Sequence, residues 1–134
     1  MSSLPEQLRA RTKQCAIRIV RLFLSLPKND EARIIGKQLL RAGTSVAANY
    51  RAVCRSRSRA EFVAKMGIVV EEADEAVFWL ELLIDTGVMK RTQVDDLLRE
   101  ANELLAIFAA SHGTARQHRG EKSPPQTLNG SMAR

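Results

Sequence analysis

Gln38–Arg59, QLLRAGTSVAANYRAVCRSRSR, reads as one helix with two distinct edges. Leu39, Ala42, Val46 and Val53 recur at helical spacing and make an apolar stripe. Gln38, Arg41, Ser45 and Asn49 step three, four and four residues, so they run as a polar row beside that stripe. The segment closes on Arg55, Arg57 and Arg59 with no acid among them. One helix thus supplies a packing seam, a polar row containing an arginine, and a basic end.

Upstream, Ala32 and Ile35 extend the seam, and Asn29 or Asp30 can cap the helix with Glu31 favourable near its positive end. Gly36 and Gly43 cost roughly 1 kcal/mol each in helix propensity relative to Ala, which points to another helix packed close against them. The short Pro27–Lys28–Asn29–Asp30 connection makes the preceding helix an antiparallel neighbour. That first helix starts near Ser3, whose spacing to Glu6 is that of a capping box, and Pro27 stops it. Leu8, Thr12, Cys15, Ile19, Leu22 and Leu26 form its seam, widened by Ala16, Val20 and Phe23. Its outer side carries Arg9, Arg11, Lys13, Arg18 and Arg21, either a solvated face or a basic ridge.

Downstream, Ser58 and Glu61 form the next capping box and place a break at about Arg55 to Arg57. The third helix is the most strongly patterned. Phe62, Met66, Val69, Ala73, Ala76, Leu80 and Leu83 keep a heptad alternation, with Val63, Val70, Val77 and Ile84 on a second flank. Phe78, Trp79 and Leu82 carry the apolar surface further round than one bundle seam requires, which points to a subunit interface. Asp85–Thr86–Gly87 ends this helix. Thr92 and Asp95 begin a fourth, whose core face is Val94, Leu97, Leu98, Ala101, Leu104, Leu105 and Phe108 and which fades at Ser111 to Gly113. The expected architecture is all-α, an up-down-up-down four-helix bundle over residues 1–112, with 113–134 a disordered basic tail.

A chain of 134 residues is sized for one domain, and its apolar set is mostly aliphatic with few aromatics, as in helical proteins. No apolar run approaches the roughly 18 residues of a spanning helix, and MSSLPEQLRARTK is no signal peptide, so a cytoplasmic protein without membrane contact is expected. Cys15 and Cys54 sit within apolar helical patterns and read as free buried thiols. The net charge of +6 hides an asymmetry. Over residues 1–65 fourteen basic residues face four carboxylates, a net of +10, whereas residues 66–112 carry −7 and the remainder +3. Arginine outnumbers lysine, as suits carboxylate or phosphate partners. The two halves can neutralise each other within one bundle, and the basic half can also meet an anionic partner.

Catalytic constellations are missing. There is no phosphate-cradling glycine loop and no H-E-x-x-H, and His112 and His118 fall at or beyond the expected end of the last helix. Glu71, Glu72, Asp74 and Glu75 cannot build a di-metal site, which needs a Glu-x-x-His pair on each of two helices. Neither an enzyme nor a cofactor or metal is expected. The acidic cluster reads as a pairing surface for Arg41 on the second helix and for Arg18 and Arg21 on the first, with Glu72 beside Trp79.

QLLRAGTSVAAN at Gln38–Asn49, followed by a basic turn and Glu61-Phe62-Val63, resembles the four-helix-bundle proteins encoded in intervening sequences of bacterial large-subunit ribosomal RNA. The same family includes the accessory variability determinant of diversity-generating retroelements. The resemblance covers about residues 6 to 110, with Gln38, Arg41, Ala42, Ser45, Asn49 and Glu75 at the family's Gln, Arg, Ala, Ser, Asn and Glu positions. Ala47 stands where the family usually has proline, and Tyr50–Val53 replaces its Ile-Ala-Glu-Gly. The resemblance implies a bundle without enzymatic activity, often a homopentameric barrel, that in the retroelement branch binds nucleic acid and a reverse transcriptase.

The expected function is therefore that of a homo-oligomeric, pentamer-forming bundle that binds RNA or DNA by its phosphates. The binding residues are expected to be Arg9, Arg11, Lys13, Arg18, Arg51, Arg55, Arg57 and Arg59. Gln38, Arg41, Ser45, Asn49 and Glu75 are expected to pair within the fold, and Phe78, Trp79 and Leu82 to meet another subunit. The alternative is an oligomeric adaptor whose basic face meets an acidic protein.

Overall fold

The computed structural model describes residues 2–122, with side chains through residue 117. Four helices, and no strand, occur among the described residues: α1 (Leu4–Ser25), α2 (Asp30–Val53), α3 (Arg59–Asp85) and α4 (Arg91–Lys122). Their starts follow the capping chemistry of the sequence. Ser3 and Glu6 exchange both hydrogen bonds of a capping box, the Ser3 amide donating to the Glu6 carboxylate at 2.8 Å. Asn29, not Asp30, caps α2, its side-chain oxygen accepting from the Ala32 amide at 2.9 Å. Ser58 caps α3, but the Glu61 carboxylate accepts from the amide of Arg57 at 2.7 Å, one residue before the cap. α4 starts earlier than Thr92, because the Gln93 side chain takes up the Lys90 amide at 3.0 Å. Gly87, with φ of 78°, turns the chain out of α3.

α1 packs on α2 and α4, α3 packs on the same two, and α1 and α3 lie across the diagonal. Neighbours run antiparallel. Ile19 of α1 and Leu26 at its C-cap lie over Gly43 and Gly36 of α2 respectively, so sequence rises on one helix as it falls on the other. A methyl group at either glycine would fall inside van der Waals contact with those side chains. The close approach expected from these glycines is therefore made by α1 side chains set into α2.

The apolar seams close on one core, in which Ile19, Leu39, Met66, Leu80, Leu83 and Phe108 are at most 2% exposed. All four residues of the α2 stripe, Leu39, Ala42, Val46 and Val53, are buried. Tyr50 continues that stripe, buried against Phe108 with ring centroids 5.0 Å apart. α2 passes through Ala47 as an uninterrupted helix, consistent with the missing proline.

Two expectations need correction here. α4 does not fade at Ser111–Gly113 but continues to Lys122, so the disordered tail expected from residue 113 is helical over 113–122. Gly113 costs helix propensity without breaking the helix, and the nearest strong stop in the sequence is Pro124–Pro125. The remaining tail lies outside the described residues. His112, expected near a frayed end, lies inside α4 and half-buried against Gly67 of α3. The second correction concerns Arg18 and Arg21, which the diagonal placement of α1 and α3 keeps from the acidic cluster. Neither forms an ion pair among the described residues.

Candidate nucleic-acid interface

The antiparallel α1–α2 pair lays the N-terminal half of α1 against the C-terminal half of α2. Small residues line the seam between them: Ala10 from α1 and Thr44, Ala47 and Ala48 from α2. With so little side-chain volume the seam opens into a groove of about 540 Å³. Its flanks are cationic. Arg9 and Lys13 stand one helical turn apart on α1, and Arg51 and Arg55 stand one turn apart on α2 and its C-terminal turn. No acid lines the groove, and none of the four cations has an ion-pair partner among the described residues. Four unneutralised cations around one concavity favour an anion strung along it, such as successive phosphates.

The other expected binding residues separate from this quartet. Arg11 faces the opposite way, toward α4. Its guanidinium donates to both oxygens of Glu100, at 3.0 and 2.7 Å, and to Glu103 at 2.7 Å. The hydrogen bond to Glu100, aided by the one to Glu103, holds the Arg11 pKa above its ordinary value despite the opposing effect of burial. Arg11 is accordingly removed from the candidate surface. Arg18 is half-buried higher on α1 and does not line the groove. Arg57 and Arg59 lie on the far side of the α2–α3 turn, where they line a different concavity.

The polar row of α2 forms a second constellation against α3. Arg41 donates to Glu72 at 3.2 Å and pairs with Glu75, while Gln38 accepts from it at 3.5 Å. Trp79 donates its indole N–H to Glu75 at 3.0 Å, so its partner is the carboxylate four residues back and not Glu72. One turn further along α2, the Asn49 amide donates to the Ser45 hydroxyl at 2.8 Å and to the Ser45 carbonyl at 2.9 Å. Arg41 remains half-exposed, so this network lies at the surface of the chain. Beside it Phe78 is 50% exposed and packs edge-on against Trp79 with centroids 4.9 Å apart; Trp79 and Leu82 are half-buried.

Among the described residues no group of three or more His, Cys, Asp or Glu is placed to hold a metal ion. None of their helices is long and apolar enough to cross a membrane. Cys15 is buried and its thiol is pushed up to about 11, mainly by burial and next by Glu100. Tyr50 is pushed up to about 12, again first by burial and then by neighbouring Cys54. Neither group is poised as a nucleophile at neutral pH.

Sequence reasoning missed the partners of Arg11 and the small-residue floor of the groove. The first could have been found by setting the basic first helix beside the acidic fourth in an up-down-up-down order. The second needs the register of α1 on α2, which spacing alone does not give.

Residues 7–110 match a family model described as 23S rRNA-intervening sequence protein. No curated protein matches the chain. Among solved structures, a protein of unknown function of the S23 ribosomal protein family from Bacteroides thetaiotaomicron shares 32% identity and a TM-score of 0.75. That similarity covers 81% of this chain and 97% of the other.

Proposed function

The chain belongs to the 23S rRNA-intervening sequence protein family, and from that premise we propose that it is a non-enzymatic, homo-oligomeric bundle that binds nucleic acid by its phosphate backbone in the cytoplasm. The supporting observation is the α1–α2 groove, in which Arg9, Lys13, Arg51 and Arg55 surround a floor of small side chains with no acid among them. Phosphate contacts position a protein without reading sequence, and the groove floor carries no aromatic side chain for stacking. Self-association uses Phe78, Trp79 and Leu82, with a pentamer as the ring that the family resemblance implies. A reverse transcriptase is the protein partner of this reading, tested by its co-purification with the tagged chain.

A salt titration with a 20-base-pair duplex separates this function from that of an adaptor for acidic proteins. The logarithm of the binding constant should fall linearly with that of salt, at about −0.9 per contacted phosphate. Replacing Arg9, Lys13, Arg51 and Arg55 by Ala should flatten that slope by about 3 to 4. Absence of duplex binding at low salt would favour the adaptor.

A further inference from the structure

Immediately beyond the groove, across the α2–α3 turn, the end of the bundle holds a larger cavity of about 890 Å³. That volume is within the range of small-ligand sites, and the space is a concavity open to solvent. Its walls are apolar where Pro5, Val53 and Phe62 face it, and Phe62 is half-buried, so part of its ring is open to contact. Its rim carries Arg57 and Arg59, neither of which has an ion-pair partner among the described residues. Ser56 also lines it, and the Ser56 hydroxyl oxygen is buried without a hydrogen-bond partner. A buried hydroxyl left unbonded is costly, and a turn of the Ser56 side chain into the cavity would let a ligand with a polar edge relieve that cost.

The cavity and the groove are continuous along the chain. Arg55 flanks the groove, while its chain neighbours Cys54 and Ser56 line the cavity. A strand whose phosphates follow Arg9, Lys13, Arg51 and Arg55 therefore arrives at the cavity mouth. We propose that the cavity receives one unpaired nucleotide of that strand, its phosphate on Arg57 and Arg59 and its base against Phe62 with a polar edge toward Ser56; this rests on the nucleic-acid reading above. An anion, a flat ring and a polar edge occur together in a nucleotide. The chain's own C-terminal residues fit poorly, since Arg116, Arg119, Lys122 and Arg134 against Glu121 give them the same sign as the rim. A fully paired duplex offers the phosphates but keeps its bases stacked away from the cavity.

The test uses the full chain and two duplexes of one core sequence, blunt or with a single 2-aminopurine overhang, at low salt. The overhang should raise affinity about tenfold, the order expected for one base stacked on an aromatic side chain, and its emission should be quenched on binding. Ala110→Trp, an exposed wall position whose indole would intrude into the cavity and compete with the base, should bring the affinity ratio to one and abolish the quench. If that variant loses native helicity, Arg57→Ala/Arg59→Ala replaces it with the same expected loss of preference. The groove variant lacking Arg9, Lys13, Arg51 and Arg55 should weaken both duplexes while keeping their ratio. Equal affinities in the unaltered protein, without quenching, overturn the cavity inference and leave the groove reading standing. Failure of both duplexes to bind overturns the two together.

Discussion

Arg11 and Glu100 are 89 residues apart in the chain, yet the Arg11 guanidinium donates two hydrogen bonds to that one carboxylate. The link ties α1 to α4, the adjacent helices that pack least closely. One basic residue of the first helix is thereby neutralised inside the molecule, in contrast to Arg9 and Lys13, which flank it in sequence and face the groove.

Arg11→Ala should destabilise the protein by about 1–2 kcal/mol, between the values for exposed and buried pairs, because Arg11 is 33% and Glu100 25% exposed. Glu100→Ala should cost a similar amount. The double variant should lose less than the sum of the two, as urea unfolding of all three would show. Duplex affinity should not change with Arg11→Ala.

Phe78→Asp tests self-association at the most exposed aromatic ring of α3. Light scattering at micromolar concentration should give several chains for the unaltered protein and one for the variant, with helicity kept. A single-chain mass before any substitution would refute the oligomer. Arg41→Ala makes the companion measurement. In a single chain its half-exposed pair with Glu75 should be worth under about 1 kcal/mol, and more only if a second subunit covers it.

At Gly43 two effects compete. Ala gains about 1 kcal/mol of helix propensity over Gly. Its methyl, however, meets the Cδ1, Cγ2 and Cγ1 atoms of Ile19, which is 1% exposed and has only a void of about 20 Å³ beside it into which to yield. Overpacking of this kind costs about 1–3 kcal/mol, so Gly43→Ala should destabilise on balance. Adding Ile19→Val, which removes the Cδ1 methyl, should recover part of the loss in thermal melts.

The buried thiol of Cys15 gives a pH dependence. Its pKa rises from 9.0 to about 11, so the unfolded chain releases the proton first. The stability contributed by the neutral thiol is complete below pH 9 and is lost as the pH climbs toward 11. The full loss is on the order of 2–3 kcal/mol. Denaturant midpoints measured from pH 8 to 9, below the pH at which Tyr50 of the unfolded chain ionises appreciably, should slope downward more steeply in the unaltered protein than in Cys15→Ala.

The seams were legible because burial repeats at helical intervals: Leu39, Ala42, Val46 and Val53 all went to the core. The caps at Ser3 and Ser58 were legible because they depend on residues three apart. Arg41 meeting Glu75 was legible on family grounds, whereas Trp79 choosing Glu75 over Glu72 depended on which helical turn faced solvent. Arg11 was unreadable for a related reason. An arginine on an outward arc points to solvent or to a diagonal or adjacent helix according to a rotation that local pattern leaves open. The extent of α4 was misjudged because Gly113 looks like a stop, although only a left-handed backbone or a proline enforces one.

Ile19 on α1 and Leu26 at its C-cap are seven residues apart, and the glycines that receive them, Gly43 and Gly36, are seven apart on α2. A single peg in a single hole would let one helix settle a heptad away from its proper place. Two matched pegs make the assembly behave like a two-pin plug, since a slide of one heptad drives Ile19 onto the ring of Tyr50 in one direction and leaves Leu26 opposite Asn29, outside α2, in the other. Such a slide would also carry Arg9 and Lys13 about 10 Å along from Arg51 and Arg55. The same pair of missing side chains that admits α1 therefore serves as the ruler by which four charges on two helices are brought level.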